Sequence, residues 1–83
     1  MNRAEMLVRL QAVFSEVLGR PVVLTEDLDA DALDGWDSLT HIALVAAIED
    51  EFQVRFPMRE IPELRAVSAI VNRLLQRSVE LGG

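Results

Sequence analysis

Between Met6 and Leu18 the apolar residues Met6, Leu7, Leu10, Val13, Phe14, Val17 and Leu18 recur at steps of three and four. That spacing puts side chains on one face of an α-helix. Asn2 stands where a side chain can accept the free N–H groups of the first turn, and Glu5, three residues on, can reach back to complete a capping box. Gly19 and Pro21 close the helix. Toward the other end Val67, Ile70, Val71, Leu74, Leu75 and Val79 repeat the pattern, Arg73 and Arg77 suit the negative end of the helix dipole, and Gly82 and Gly83 end it. Each of these helices has one apolar face to bury. The chain is thereby directed toward helix-on-helix packing.

Residues 19 to 36 show no sustained period and carry Gly, Pro and five acids, which predicts a long loop pinned by a few apolar side chains. Val22, Val23, Leu24, Leu28 and Leu33 are the candidate anchors. An irregular segment of this length is uncommon in a compact domain unless it serves a function. A second helix is expected from about Ser38 to Phe52, with Asp37 or Ser38 as its cap. Pro57 and Pro62 punctuate the run "QVRFPMREIPEL" and leave room for a short helical turn at most. The expectation is a single all-α domain over residues 1–83: a small bundle of three main helices and one short turn, with a long loop between helices 1 and 2.

A chain of 83 residues buries only about 60 to 65% of the surface its unfolded form exposes, which leaves little room for an enclosed active site. It has no cysteine, hence neither a disulfide nor a thiolate metal site, and its 51% apolar residues must hold the fold by packing alone. The start "MNRAEMLVRL" has no long apolar run behind a basic segment, and eighteen uninterrupted apolar residues occur nowhere. A monomeric cytoplasmic protein without a membrane partner is expected.

The net charge of −6 argues against nucleic acid as a partner, because phosphate binding draws its affinity from clustered Lys and Arg. The placement of charge is more informative. Residues 21 to 53 carry nine acids, Glu26, Asp27, Asp29, Asp31, Asp34, Asp37, Glu49, Asp50 and Glu51, and no Lys or Arg, while the segments on either side are slightly basic. A one-signed surface steers basic partners toward it, and the alternative is that it serves solubility.

Within this acidic middle, "DGWDSLTHI" holds the single tryptophan and the single histidine beside a serine. Asp27, Asp29 and Asp31 match the first, third and fifth positions of a calcium loop, but the sixth position is Ala32 where a glycine is needed and the twelfth is Ser38 where a bidentate glutamate is needed. Asp37, Ser38 and His41 supply the residue types of a hydrolase triad without its geometry: side chains three apart on one helix point outward together. One histidine and no cysteine also leave a metal only carboxylates. No catalytic residue and no metal site are assigned. His41 is expected to be a structural side chain, half-buried beside the core, with a minor role in lining a ligand pocket left open. A serine at a helix start is ordinarily a cap. The same helix end presents unpaired N–H groups and positive dipole charge, which suits a phosphate ester carried on the Ser38 hydroxyl.

The run "LDGWDSLTHIALVAAIEDEFQVRF" resembles the core of the acyl carrier protein family, in which an Asp-Ser-Leu motif, here Asp37, Ser38 and Leu39, opens the second helix. The resemblance covers nearly the whole chain. It implies that Ser38, flanked by Asp37 and Leu39, receives 4′-phosphopantetheine from coenzyme A through a phosphopantetheinyl transferase. Acyl or aminoacyl groups then ride on the thiol of that arm, and loading and transferring enzymes are the implied partners. Carriers of the fatty-acid type usually have acids early in the second helix, whereas here the corresponding positions are Thr40, His41, Ile42 and Ala43. With Trp36, this is closer to stand-alone carriers of specialised pathways, such as polyketide, aminoacyl or glycan-modification clusters. An unmodified acidic interaction module is the alternative, in which Ser38 stays a bare cap.

Two stripes run along the second helix at helical spacing. His41, Leu44, Val45, Ile48 and Phe52 have the bulk of a core, while Leu39, Ile42, Ala43, Ala46, Glu49 and Asp50 end in two acids that are costly to bury unpaired. The second stripe is therefore expected to face outward as the partner-binding surface.

Overall fold

The computed structural model of the protein describes residues 1–80, with side chains through residue 77. Helix α1 spans Arg3–Leu18, α2 spans Ser38–Phe52 and α3 spans Val67–Glu80, with a 3₁₀ helix at Met58–Leu64 between α2 and α3. The side chain of Val79, and Gly82 and Gly83, which the sequence reading assigned to the apolar face and end of α3, lie outside the described residues.

Helix α1 begins on the expected capping box: the Asn2 carboxamide oxygen accepts the Glu5 N–H at 2.8 Å, and Glu5 Oε1 accepts the Asn2 N–H at 3.1 Å. It ends on Gly19, whose φ of 73° lets its N–H return to the Ser15 carbonyl. Helix α2 ends differently, on Gln53 at φ 55°, a left-handed position filled without glycine. The 3₁₀ helix runs for seven residues and contains Pro62, whose fixed φ fits this geometry. The expected short turn is thus a longer element.

One core joins the three helices. Met6, Leu10 and Phe14 of α1, Leu44 and Ile48 of α2, and Val67, Ile70, Val71 and Leu74 of α3 are all buried in it. The loop between α1 and α2 contributes Val22, Leu24, Ala30 and Trp36, with Leu28 and Leu33 half-buried against it. Val23 is the exception among the expected anchors, 79% exposed between its two buried neighbours. The cause is the extended backbone, in which successive side chains point to opposite sides. The loop therefore has two faces, and only one of them is buried. Polar side chains of α1 tie the same stretch down: the Ser15 hydroxyl oxygen accepts the Val22 N–H at 3.0 Å and the Gln11 carboxamide accepts the Leu24 N–H at 2.9 Å. Farther on, the Ala30 N–H donates to the Arg65 carbonyl and the Val67 N–H to the Leu28 carbonyl, each at 2.9 Å, so the loop is stitched to the start of α3.

Arg73 and Arg77 do more than face a helix dipole. Arg73 reaches Glu60 at 2.6 Å and Glu63 at 3.1 Å, and Arg77 reaches Glu60 at 3.2 Å. Glu60 is buried, and the paired guanidinium groups offset the cost of desolvating its carboxylate. These contacts clamp the 3₁₀ helix onto α3.

Candidate functional site at the start of the second helix

The serine of "GWDSL" is the first residue of α2. Of the two candidate caps, Asp37 holds the position: its Oδ1 accepts the Thr40 N–H at 2.8 Å, and its carbonyl accepts the His41 N–H at 2.8 Å as the first helical bond. Hydrogen bonds from the Thr40 backbone and side chain hold the Asp37 carboxyl below its ordinary pKa. Ser38 is left exposed, and its hydroxyl makes no hydrogen bond among the described residues. The serine is therefore free of capping duty.

The loop that delivers it is anchored from several sides. The Arg20 guanidinium donates to the Asp34 carbonyl. Gly35 sits at φ 92°, and a Cβ there would stand 3.3 Å from Leu18 Cδ2, so both its conformation and its packing favour glycine. Trp36 is 2% exposed and meets Phe14 edge-on with ring centroids 5.0 Å apart. Its indole N–H donates to His41 Nδ1 at 2.9 Å, and His41 Nε2 lies 2.7 Å from the Ile61 carbonyl. Because the indole can only donate and the carbonyl can only accept, the imidazole is the neutral tautomer with its proton on Nε2. His41 is a structural residue, as expected, but at 4% exposure it is fully buried with both ring nitrogens engaged. It lines no cavity described around the site.

The outward stripe of α2 lies where the spacing placed it. Leu39 and Ile42 are 82% and 62% exposed, and Ala43, Ala46 and Asp50 are also exposed. Glu49 is half-buried and its Oε2 accepts the Phe56 N–H at 2.8 Å, whereas the exposed Asp50 carboxylate has no hydrogen-bond partner among the described residues. The acidic middle is likewise less one-signed in space than along the chain. Arg3 pairs with Glu26, lowering the Glu26 pKa through that hydrogen bond, and Arg9 pairs with Glu51 at 2.9 Å. What remains near Ser38 is a group of exposed aspartates, Asp31, Asp34 and Asp37. They share a shallow hollow of about 400 Å³ with Arg65. A larger hollow of about 570 Å³ lies at the other end of α2, between Ala46, Gln53, Val54 and Arg77.

The sequence reading missed the tryptophan as a loop anchor and its bond to His41. The signal was a lone large aromatic in an otherwise polar stretch. Its partner lay across a loop-to-helix boundary, where neither periodicity applies.

A family model described as a phosphopantetheine attachment site matches residues 8–74. The acyl carrier protein of Saccharopolyspora erythraea is 33% identical over 76 residues, covering 90% of this chain and 80% of that protein. The acyl carrier protein of Acidothermus cellulolyticus is 30% identical over 86 residues, covering 95% of each. Among solved structures, the solution structure of the holo acyl carrier protein of Geobacter metallireducens superposes with a TM-score of 0.74 at 31% identity, covering 89% of this chain and 90% of that one.

Proposed function

The chain belongs to the acyl carrier protein family, and on that footing we propose that Ser38 is the residue that carries its 4′-phosphopantetheine. The observation that carries the assignment is an exposed hydroxyl, free of hydrogen bonds among the described residues, at the first position of a helix whose cap is supplied by its neighbour Asp37. The residues present fit the group. A phosphodiester on Ser38 would lie at the N-terminal end of α2, where N–H groups without an i−4 acceptor and the helix dipole stabilise negative charge. When bound, the arm supplies a thiol to a chain that has no cysteine, and a thioester on that thiol activates an acyl carbonyl. The protein's own part is to present, orient and be recognised. Members of the family are carriers without catalysis of their own, served by modifying and acyl-transferring enzymes.

Residues 1–83 are read as one carrier domain, working as a monomer in the cytoplasm with a phosphopantetheinyl transferase. No helix among the described residues is long and apolar enough to cross a membrane. Leu39, Ile42, Ala43, Ala46 and Asp50 form the partner-binding face, with Glu49 at its edge. The first turn of α2 holds no acid, which supports service in a specialised pathway, whether polyketide, aminoacyl or glycan-modifying, over general fatty-acid synthesis. Partner enzymes of such a pathway would meet an apolar surface next to the serine.

Intact-mass measurement after incubation with coenzyme A and a broad-specificity transferase tests the assignment. One phosphopantetheine mass should be gained by the natural chain and none by Ser38→Ala. Because the cap bond belongs to Asp37, this variant should stay within about 0.5 kcal/mol of the natural stability, as for other exposed substitutions. Loading of Ser38→Ala would refute the assignment.

A further inference from the structure

The serine is bracketed by a hydrogen bond. Trp36, two residues before it, donates to His41, three residues after it, at 2.9 Å. His41 in turn lies 2.7 Å from the Ile61 carbonyl of the 3₁₀ helix. Between these two side chains Asp37, Ser38 and Leu39 are all exposed, so the residues that face an enzyme have no packing of their own to orient them. We propose that Trp36 and His41 are positioning residues for modification of Ser38, the chain Trp36–His41–Ile61 fixing the angle at which the loop enters α2. The inference rests on Ser38 as the attachment site and adds what holds it in place.

The physical case is one of direction. Apolar packing of Trp36 against Phe14 keeps the loop close to α1, but packing alone tolerates rotation and sliding of the buried group. A hydrogen bond between an indole and an imidazole weakens steeply when misaligned. Here one end is fixed to the loop, the middle is fixed to the first full turn of α2, and the far end is fixed to a different helix. A transferase must bring the Ser38 hydroxyl to within attack distance of the pantetheine-bearing phosphorus of coenzyme A. The Oγ–P bond then forms as the pyrophosphate bond breaks, adenosine 3′,5′-bisphosphate leaves and the hydroxyl proton passes to a base of the transferase. A carrier whose loop samples other angles presents a competent serine only part of the time. The apparent affinity then falls in proportion to the competent fraction, while the chemical step on the transferase is unchanged.

That asymmetry gives the test. Loading kinetics with coenzyme A and a phosphopantetheinyl transferase are measured for the natural chain, Trp36→Phe, His41→Leu, the double variant and His41→Gln, at a temperature where circular dichroism shows each to be folded. Trp36→Phe keeps a ring against Phe14 and removes the donor. Both Trp36→Phe and His41→Leu should raise KM for the carrier about fivefold with kcat changed less than twofold. The double variant should be no worse than His41→Leu, since both break one chain. Glutamine, which can accept from the indole and donate to the carbonyl, should recover part of the loss. Unchanged KM in folded variants, whatever happens to their melting temperatures, would overturn positioning while leaving Ser38 as the site. No loading of the natural chain would overturn the attachment site itself and positioning with it. Should a variant fail to fold, the natural chain still decides. Its indole N–H should be protected from hydrogen exchange and its imidazole should carry the proton on Nε2 by nitrogen chemical shift, and a freely exchanging indole would overturn the proposal.

Discussion

Replacing Ile48 by alanine measures how α2 is rotated between core and partner. Ile48 is 1% exposed and lies in the core with Leu44 and Val45. The substitution removes three carbons, a transfer loss of about 2.4 kcal/mol at roughly 0.8 kcal/mol per methylene. To this is added a cavity cost of about 1 kcal/mol for each ~40 Å³ that the surrounding side chains fail to close, which brings the total to about 2 to 5 kcal/mol. Urea unfolding followed by the fluorescence of Trp36, the single tryptophan, provides the assay. With a slope of about 1 to 1.5 kcal/mol/M for a chain this small, a loss of about 3 kcal/mol lowers the midpoint by about 2 to 3 M. The matched control is Ala46→Arg on the exposed stripe, two residues away along the same helix. It should move stability by no more than about 0.5 kcal/mol and slow transfer by partner enzymes. If Ala46→Arg unfolds the protein while Ile48→Ala costs less than about 1 kcal/mol, the helix faces the other way and the argument fails.

Three further outcomes follow from the site. Gly35→Ala should destabilise by more than about 1 kcal/mol, since it forces a side chain into φ 92° and toward Leu18; an unchanged melting temperature would show that the loop has room to shift. Asp37 has a folded pKa below its unfolded value of about 3.9, so its contribution is complete above that value and is lost as pH falls through the lower folded one. Asparagine caps as well and does not titrate, so the melting temperature of Asp37→Asn should fall less steeply below about pH 4, and an identical acid limb would refute the role. Association with a basic partner enzyme should slow as ionic strength rises, because exposed charges are screened within about 8 Å at physiological salt; a rate independent of salt would assign the acids to solubility alone.

Periodic signals carried most of the fold. The stripes of α1, α2 and α3 and the capping box at Asn2 read directly from spacing, because a helical face and a local cap are short-range properties. The irregular segment was less legible. Composition does not distinguish Val23 from its buried neighbours Val22 and Leu24, because it does not reveal an alternating backbone. The expected end of α2 at Phe52 matches the structure, but the left-handed cap at Gln53 is not legible in the sequence, since no glycine marks it. At the site, Ser38 was visible as a motif. Its freedom from capping was not, because Asp37 and Ser38 are both good caps and only geometry chooses between them. The charge reading was distorted in the same way: Glu26 and Glu51 belong to the acidic middle along the chain but sit against Arg3 and Arg9 in space.

The Trp36–His41 hydrogen bond occupies core volume in a chain that has no cysteine to staple it. Two apolar side chains of similar size would fill the same space without the desolvation of an indole N–H and an imidazole, and buried polar groups often contribute no more to stability than such replacements. What apolar packing lacks is a preferred angle. No buried side-chain nitrogen or oxygen among the described residues is left without a partner, so this polar network is complete, the condition under which one rigidifies a structure. The consequence falls on the exposed residues above it. Ser38 and Leu39 are adjacent, one proposed to carry the arm and the other 82% exposed at the head of the proposed docking face. A support that fixes the entry of α2 fixes both together, so an enzyme that docks on the apolar stripe finds the serine at a set distance and direction. With the arm on Ser38 as proposed, the arm would supply reach and the buried Trp36–His41 bond would define the point from which it reaches.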